Sequence, residues 1–307
     1  MMIDIIMATY NGSRFISEQL DSLLSQIHGD IRIIIHDDGS CDGTGKTLEE
    51  YAGKYPDKVM VISDGIICGS AKKNFMHLLK YTSSEYIMFS DQDDVWLKDK
   101  VSLTLEEMLY AEKKVGKERP VMVFGSYTPV NERLEIIRDN PKNRQEAAYK
   151  LSFSNLLVQN YATGCLAMIN RTLADMMGEY DEAILMHDWW AALIASAAGT
   201  IVHIDEVMML YRQHANNTVG SVNVKSLGYV MSKILDRNTR KAKACYLYQA
   251  QLLKKRLSGK LYPENEAALD GFIELYGRGK IGRMIGLIKG NYLKSGFVRI
   301  IGQLWYI

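Results

Sequence analysis

Cysteine is scarce in this chain: four among 307 residues, at Cys41, Cys68, Cys165 and Cys245, with no Cys-x-x-Cys pair. That spacing argues against a disulfide framework and against a thiolate zinc site, and predicts reduced thiols. No apolar run reaches the roughly 20 residues of a membrane-spanning helix. The opening Met1-Met2-Ile3-Asp4 lacks the basic segment of a secretory leader, so a cytoplasmic location is expected. Internal repeats and low-complexity tracts are also missing. With 47% hydrophobic and 24% charged residues, the composition is that of an ordinary soluble protein of one large or two smaller domains.

The formal net charge of +1 conceals an asymmetry. From Lys225 onward, 16 lysines and arginines face five acidic residues; before it, 21 basic residues face 31 acidic ones. A basic tail on an acidic body predicts an anionic partner for the tail. The acidic body argues against nucleic acid. Lys280–Ile307 interleaves Ile281, Ile285, Leu287, Ile288, Leu293, Phe297, Ile300, Ile301, Leu304 and Trp305 with Arg283, Lys289, Lys294 and Arg299, which suits an interfacial helix on an anionic membrane surface. Packing on the body, or on a second subunit as a homodimer, is the competing expectation.

Residues 1–130 alternate strand runs with helical spacing. Ile3–Ala8, Ile31–Ile35, Val59–Ile62, Tyr86–Phe89 and Val121–Phe124 read as strands. Asn11-Gly12-Ser13 reads as a turn and helix cap, after which Phe15, Leu20, Leu23, Leu24 and Ile27 recur at helical spacing. A second helix runs through Tyr51 and a third includes Phe75–Leu79. Strands joined by helical crossovers predict an α/β fold with a doubly wound, mostly parallel sheet. In such sheets ligands bind beyond the C-terminal strand ends, and three of those ends are polar: Thr9-Tyr10-Asn11, Asp37-Asp38 and Asp91-Gln92-Asp93. Residues 138–150 read as a loop. Two strands are expected near Thr200–Ile204 and Val207–Tyr211. From about Val222 the chain reads as helical, with Pro263 placed to start a helix. The expected division is a body over 1–220, with a nucleotide-binding half to about residue 130 and a second half over 131–220, followed by a helical region over 221–307.

The sharpest feature is the run from Tyr86 to Trp96, in which an apolar strand delivers Asp91, Asp93 and Asp94. A buried strand cannot hide unpaired charges, so these belong at its open end. A divalent cation carrying phosphates is a ready counter-charge there. Two look-alikes lie nearby. Asp38-x-Ser40-x-Asp42-Gly43 nearly fits a calcium loop, but a strand precedes it where a helix is required. Ser40–Thr47 resembles a P-loop, but Ser40 stands where glycine is favoured, and Asp37, Asp38 and Asp42 would repel phosphates. Capping of the next helix by Ser40 or Asp42 explains the same residues.

Ile5-Ile6-Met7-Ala8-Thr9-Tyr10-Asn11-Gly12, Asp37-Asp38-Gly39-Ser40 and Asp91-Gln92-Asp93-Asp94-Val95-Trp96 resemble, in order and spacing, the GT-A glycosyltransferases of family 2. Met186-His187-Asp188-Trp189-Trp190 and Tyr211-Arg212-Gln213-His214-x-Asn216-Asn217 are similar to its bacterial rhamnosyltransferase-type branch. The resemblance implies a GT-A fold with a C-terminal helical extension. It also implies inverting sugar transfer from a nucleoside diphosphate (a dTDP- or UDP-sugar, rhamnose by branch) and a Mg²⁺ or Mn²⁺ ion. By the same resemblance Asp93 contacts the metal, with Asp91 near the ribose or metal and His214 as a further ligand. Asp38 would meet the pyrimidine edge, Thr9, Tyr10 and Asn11 the base and ribose, and Lys73 and Arg212 the nucleotide and diphosphate.

Asp188 matches the family's base position, and desolvation beside Trp189 and Trp190 would raise its pKa toward useful values. His187 is the competing base by chemistry, or an acceptor contact. Trp189 and Trp190 can stack on sugar faces, although neighbours on a helix cannot both face one way. Gly164 would allow close backbone approach in the acceptor region, with Cys165 inert. Arg212 and His214, at i and i+2 of a strand, would share a face. Asp37, Asp94, Asp181 and Glu182 also suit plain turn or cap roles. The chain lacks the Gln-x-x-Arg-Trp pattern of processive synthases, so addition of one or a few sugars is expected. The implied acceptor is a lipid-linked or growing surface glycan at the inner face of the cell membrane. Competing readings are a nucleotidyltransferase, which would release pyrophosphate, a P-loop-type NTPase, and a nucleotide- or glycan-binding module without turnover.

Overall fold

The computed structural model describes residues 1–137, 151–214 and 239–305. An eight-stranded sheet runs in the order β3-β2-β1-β4-β7-β6-β8-β5. Its strands are β1 (Ile3–Thr9), β2 (Ile31–Asp37), β3 (Val59–Ile62), β4 (Tyr86–Ser90), β5 (Val95–Trp96), β6 (Val121–Val130), β7 (Ala167–Asn170) and β8 (Thr200–Arg212). The first half is the doubly wound unit expected. β1 pairs in parallel with β2 and β4, and β2 with β3. The crossovers are α1 (Ile16–Leu24), α2 (Thr44–Lys54) and α3 (Ala71–Leu78). Both faces of β1 are covered, so Ile3, Ile5, Ile6 and Met7 are all fully buried. That explains a continuous apolar run rather than an alternating one.

The register sets the site. Thr9 of β1 lies opposite Asp37 of β2, and Met7 lies opposite Ser90 of β4. The three polar strand ends therefore open on one edge of the sheet. Beyond β4 the sheet changes sense: β7 enters antiparallel between β4 and β6. β6 then pairs in parallel with β8, and the two-residue β5 pairs antiparallel with β8.

Several local expectations change. The two short strands are one, Thr200–Arg212, which follows β6 through an irregularity between Phe124 and Tyr127. Continuous pairing with a ten-residue β6 overrides the polar break at Asp205-Glu206. Ser13 does not cap α1, whose N-cap is Phe15 with no side-chain bond; the Ser13 amide instead donates to Asp42 (3.0 Å). Asp42 also accepts from the Thr44 amide (3.1 Å). A carboxylate thus sits where a P-loop would place phosphate, which removes that reading of the segment.

α5 (Phe153–Leu156), α6 (Arg171–Met177) and α7 (His187–Ala198) complete the body, after α4 (Lys100–Val115). The C-terminal helices are α8 (Thr239–Arg256), α9 (Pro263–Leu275), α10 (Lys280–Lys289) and α11 (Phe297–Trp305). Pro263 opens α9 as expected. Leu253 of α8, Leu257 just beyond its end, and Leu269 and Phe272 of α9 are buried in the same core as the sheet. Asn265 further donates to the Ser196 carbonyl (2.9 Å). α8 and α9 therefore pack on the body, and from the Lys280–Ile307 segment Leu287 and Tyr292 join the same core. The single terminal helix read from the sequence is two, interrupted between Gly290 and Gly296, where Asn291 takes φ 54°. The loop expected over 138–150, the boundary near 220 and the start of the helical region near Val222 lie outside the described residues.

Candidate active site

The acidic turn is built where β4 leaves the sheet. Asp91, Asp94 and Cys165 bring ligand atoms within 4.8 Å of one another. Asp94 is fully buried; one oxygen accepts the Arg212 amide (3.0 Å) and the other, Oδ2, has no partner. Burial, then the charges of the neighbouring carboxylates, push the Asp91 and Asp94 carboxyls up from their ordinary range. The interior cation facing them is Lys100, also fully buried. Its ammonium donates to the Cys165 carbonyl (2.5 Å) and lies 3.3 Å from the Trp96 ring centre. Burial lowers it to about 7. The Asp93 carboxylate, whose charge is felt at Asp91, has its Oδ2 2.8 Å from His214 Nε2. His214 in turn packs on Phe15 (5.0 Å between centroids).

Gln92, which the sequence reading left without a role, clamps the turn to β1. Its amide accepts from the Tyr10 N–H (2.9 Å) and donates to the Tyr10 carbonyl (3.0 Å). A Cβ at position 12 would come within 2.3 Å of the Gln92 Oε1 atom, so this clamp requires Gly12. Thr9 is buried and donates to Asp37 (2.8 Å), whereas Tyr10 is 58% exposed and Asn11 is exposed at φ 48°. Asp37 spends its carboxylate on Thr9 and on the Ser40 amide (2.8 Å), which is local turn bonding. Both oxygens of Asp38 accept backbone amides of the next loop, from Cys68 and Gly69. Asp38 thus anchors that loop beside the β1 end.

Across the opening stands the N-terminus of α7. Asp188 accepts the Gly164 amide (3.1 Å) and the Trp189 amide (2.6 Å). Burial raises its carboxyl to about 6, against those hydrogen bonds, and its charge is felt at Asp91. A Cβ on Gly164 would approach the His187 Nε2 to 2.9 Å and the Asp188 Cβ to 3.0 Å, so the start of α7 packs closely on this glycine. His187 lies buried between Phe75 (4.1 Å) and Phe89 (5.0 Å), and neither ring nitrogen has a partner. Burial drives it down to about 3, leaving a neutral ring. Cys165 is buried and its thiol is pushed well up, which suits an inert residue.

Three expected site residues are placed differently. Trp190 is fully buried and its indole donates to the Met177 carbonyl (3.0 Å), so it is core and cannot face a sugar. Trp189 remains half-buried, its indole bonded to the Leu156 carbonyl (2.6 Å). β8 ends at Arg212, so Arg212 and His214 do not share a strand face. The Arg212 guanidinium is 1% exposed. It stacks on Phe15 (4.5 Å), donates to the Asp93 carbonyl (2.8 Å) and pairs with Glu18. It ties the acidic turn to α1 and the end of β8. Lys73 pairs with Glu182 (2.9 Å) over the Tyr180 ring (5.1 Å). Asn216 and Asn217 lie outside the described residues. Lys100 was legible in principle: it shares the buried stripe of α4 with Thr104, Met108 and Ala111, where a lone lysine needs an interior partner.

A family model described as Glycosyl transferase family 2 matches residues 4–175. The chain is similar to dTDP-rhamnosyl transferase RfbG of Shigella flexneri, 32% identical over 74% of this chain and 80% of that protein. It is also similar to UDP-Glc:alpha-D-GlcNAc-diphosphoundecaprenol beta-1,3-glucosyltransferase WfgD of Escherichia coli, 28% identical over 56% of this chain and 61% of that protein. Among solved structures, S. aureus TarS 1-349 in complex with UDP-GlcNAc gives a TM-score of 0.58 at 16% identity, over 94% of this chain and 80% of that one. Mannosyltransferase PcManGT from Pyrobaculum calidifontis, in complex with GDP-Man and Mn²⁺, gives 0.57 at 16%, over 99% and 78%. The structural likeness is one of fold, and the sheet, its acidic strand end and the two sequence matches together make this chain a member of glycosyl transferase family 2, built on the GT-A fold.

Proposed function

We propose that this glycosyltransferase moves one sugar, with inversion, from a dTDP- or UDP-linked donor to a lipid-linked or growing surface glycan, using Mg²⁺ or Mn²⁺. The observation that carries this reading is the pairing of a desolvated Asp188 with the Asp91–Asp93 turn across one opening. Inversion needs a base that faces the sugar opposite the leaving group. Asp188 is held for that task by the Gly164 and Trp189 amides and takes the proton of the acceptor hydroxyl. His187, neutral and enclosed by Phe75 and Phe89, shapes the wall beneath it. Asp91, Asp93 and His214 would hold the ion, which offsets charge on the departing diphosphate. The donor set fits: the charge of Asp93 is felt at Asp91, so a cation beside both would relieve their repulsion, and Asp93 already meets His214. Tyr10 and Asn11 offer exposed surface to the base and ribose, with Asp38 and Thr9 fixing the loops around them.

Rhamnose and a dTDP donor are favoured by the match to RfbG, and a lipid-linked acceptor by the match to WfgD. A thermal-shift screen of UDP-, dTDP- and GDP-sugars with and without Mn²⁺ tests the donor, since a ligand of the native state raises the midpoint. The expected result is a metal-dependent rise with a dTDP-sugar, followed by release of dTDP in the presence of acceptor. Release of pyrophosphate would instead make the protein a nucleotidyltransferase.

The membrane reading falls on α10 and α11. Ile281, Ile285 and Ile288 line one exposed stripe and Phe297, Ile301 and Trp305 another. The Lys280 ammonium lies 5.6 Å from the Trp305 ring centre, which joins the two stripes. After Glu274 the chain has no acidic residue, while Arg278, Lys280, Arg283, Lys289, Lys294 and Arg299 follow. An apolar face rimmed by cations alone suits an anionic leaflet, as a peripheral protein on the inner face of the cell membrane. Among the described residues no helix is long and apolar enough to cross a membrane. Co-sedimentation with phosphatidylglycerol vesicles should exceed that with phosphatidylcholine and weaken in high salt. Equal pelleting with both, or a salt-resistant dimer that loses vesicle binding, would sink this assignment.

A further inference from the structure

A second group of ligand-bearing side chains lies away from the acidic turn, on β2, the loop after β3 and α3. His36, Asp64 and His77 each bring a ligand atom within 4.8 Å of the other two. His36 Nε2 is 3.5 Å from Asp64 Oδ1, and His77 Nε2 is 2.6 Å from Asp64 Oδ2. The cysteine spacing argues against a thiolate zinc centre, but it says nothing about histidines this far apart in sequence.

The surroundings of the trio are those of an ordered metal centre. Asn74 donates through its amide nitrogen to the His36 carbonyl (3.1 Å), which fixes its oxygen toward His36 Nδ1 (2.9 Å). An amide oxygen only accepts, so Nδ1 carries a proton, and Nε2, facing Asp64, is the ring nitrogen left to bind a metal. Such an outer partner, fixing tautomer and ring angle, is what metal-bound histidines usually have. Asp64 is oriented in the same way, by the Tyr81 hydroxyl (2.7 Å) and the Ile66 amide (3.0 Å). His36 is buried, whereas the His77 and Asp64 side chains keep solvent-exposed surface through which an ion can enter.

We propose that His36 Nε2, His77 Nε2 and the Asp64 carboxylate bind one zinc-class divalent ion, water completing the shell. Two imidazoles and a carboxylate suit zinc and exclude magnesium, which prefers all-oxygen shells. Binding displaces the proton that His77 Nε2 shares with Asp64. The ion pins the loop after β3 to the sheet, and the Cys68 and Gly69 amides of that loop hold Asp38. Zinc occupancy is independent of the sugar-transfer reading; only the effect on Asp38 rests on it.

The test is zinc content of the full chain after dialysis against zinc and millimolar Mg²⁺, with affinity read by a competing chromophoric chelator. One equivalent is expected, with a rise in Tm on zinc addition. His77→Ala and Asp64→Asn should each weaken zinc ~100-fold or more, beyond the effect of losing an outer partner. Asp93→Ala should keep it. Folding of each variant is checked by circular dichroism. Cobalt substitution of the wild type, read by its visible bands, decides if a variant does not fold. A folded wild type that retains no zinc would overturn the site, and so would zinc lost with Asp93→Ala but kept by His77→Ala. Either result leaves the nucleotide-sugar screen to judge the transferase separately.

Discussion

Asp188→Asn is expected to lower kcat by about 10²–10⁴-fold, the range general-base catalysis supplies, with the nucleotide-sugar thermal shift unchanged. The substitution keeps shape and removes the proton acceptor. The Gly164 and Trp189 amides donate to different carboxylate oxygens, and the single amide oxygen of Asn keeps only one of these bonds, so circular dichroism checks that the start of α7 stays in place. The wild type should show the matching pH dependence. Burial raises the Asp188 carboxyl to about 6. A base works only when unprotonated, so kcat/KM should fall as pH drops below about 6 and level off above it. Initial rates across pH 5–8, with single-turnover product analysis, read both results. A loss of less than about fivefold in the Asn variant would move the base elsewhere.

Asp93→Ala should cost the second largest amount, on the order of 10²-fold or more in metal-dependent turnover, because Lewis-acid stabilisation of the leaving group is worth several kcal/mol. The Asp93 carboxylate meets His214 (2.8 Å), but its main-chain carbonyl accepts Arg212 (2.8 Å). The second contact survives truncation. The acidic turn should therefore stay folded while the metal response is lost. Rates titrated with Mn²⁺ distinguish the outcomes: a flat response at low rate is expected. Full turnover with unchanged Mn²⁺ dependence would take Asp93 out of the metal site.

Much of this arrangement is carried by local pattern. β1, β2 and β4 are apolar runs long enough to be buried on both faces, and each ends in polar residues. A parallel sheet then has to place Thr9, Asp38 and Asp91 on one edge, because its strands point one way. That inference needs periodicity and strand polarity alone. Asp188 was singled out by the resemblance of the Met186–Trp190 motif to the family, and its burial beside aromatic residues was expected from its neighbours. The family match rests on these local segments as well.

The orientation of long side chains was decided by the fold. Arg212 and Lys73 can each reach several partners from their backbone positions, and only the neighbours selected them: Glu18, Phe15 and the Asp93 carbonyl for one, Glu182 for the other. Trp189 and Trp190 are equivalent in a linear reading, yet a helix surface makes one of them core. Lys100, Gln92 and the His36–Asp64–His77 group draw partners from strands and helices remote in the chain. Periodicity reports which face of an element is buried, and composition reports what charges exist. Sequence by itself therefore determined the sheet, its open edge and the acidic end of β4. The tertiary structure decided which charges meet there, because Coulomb and hydrogen-bond energies depend on distances that only packing sets.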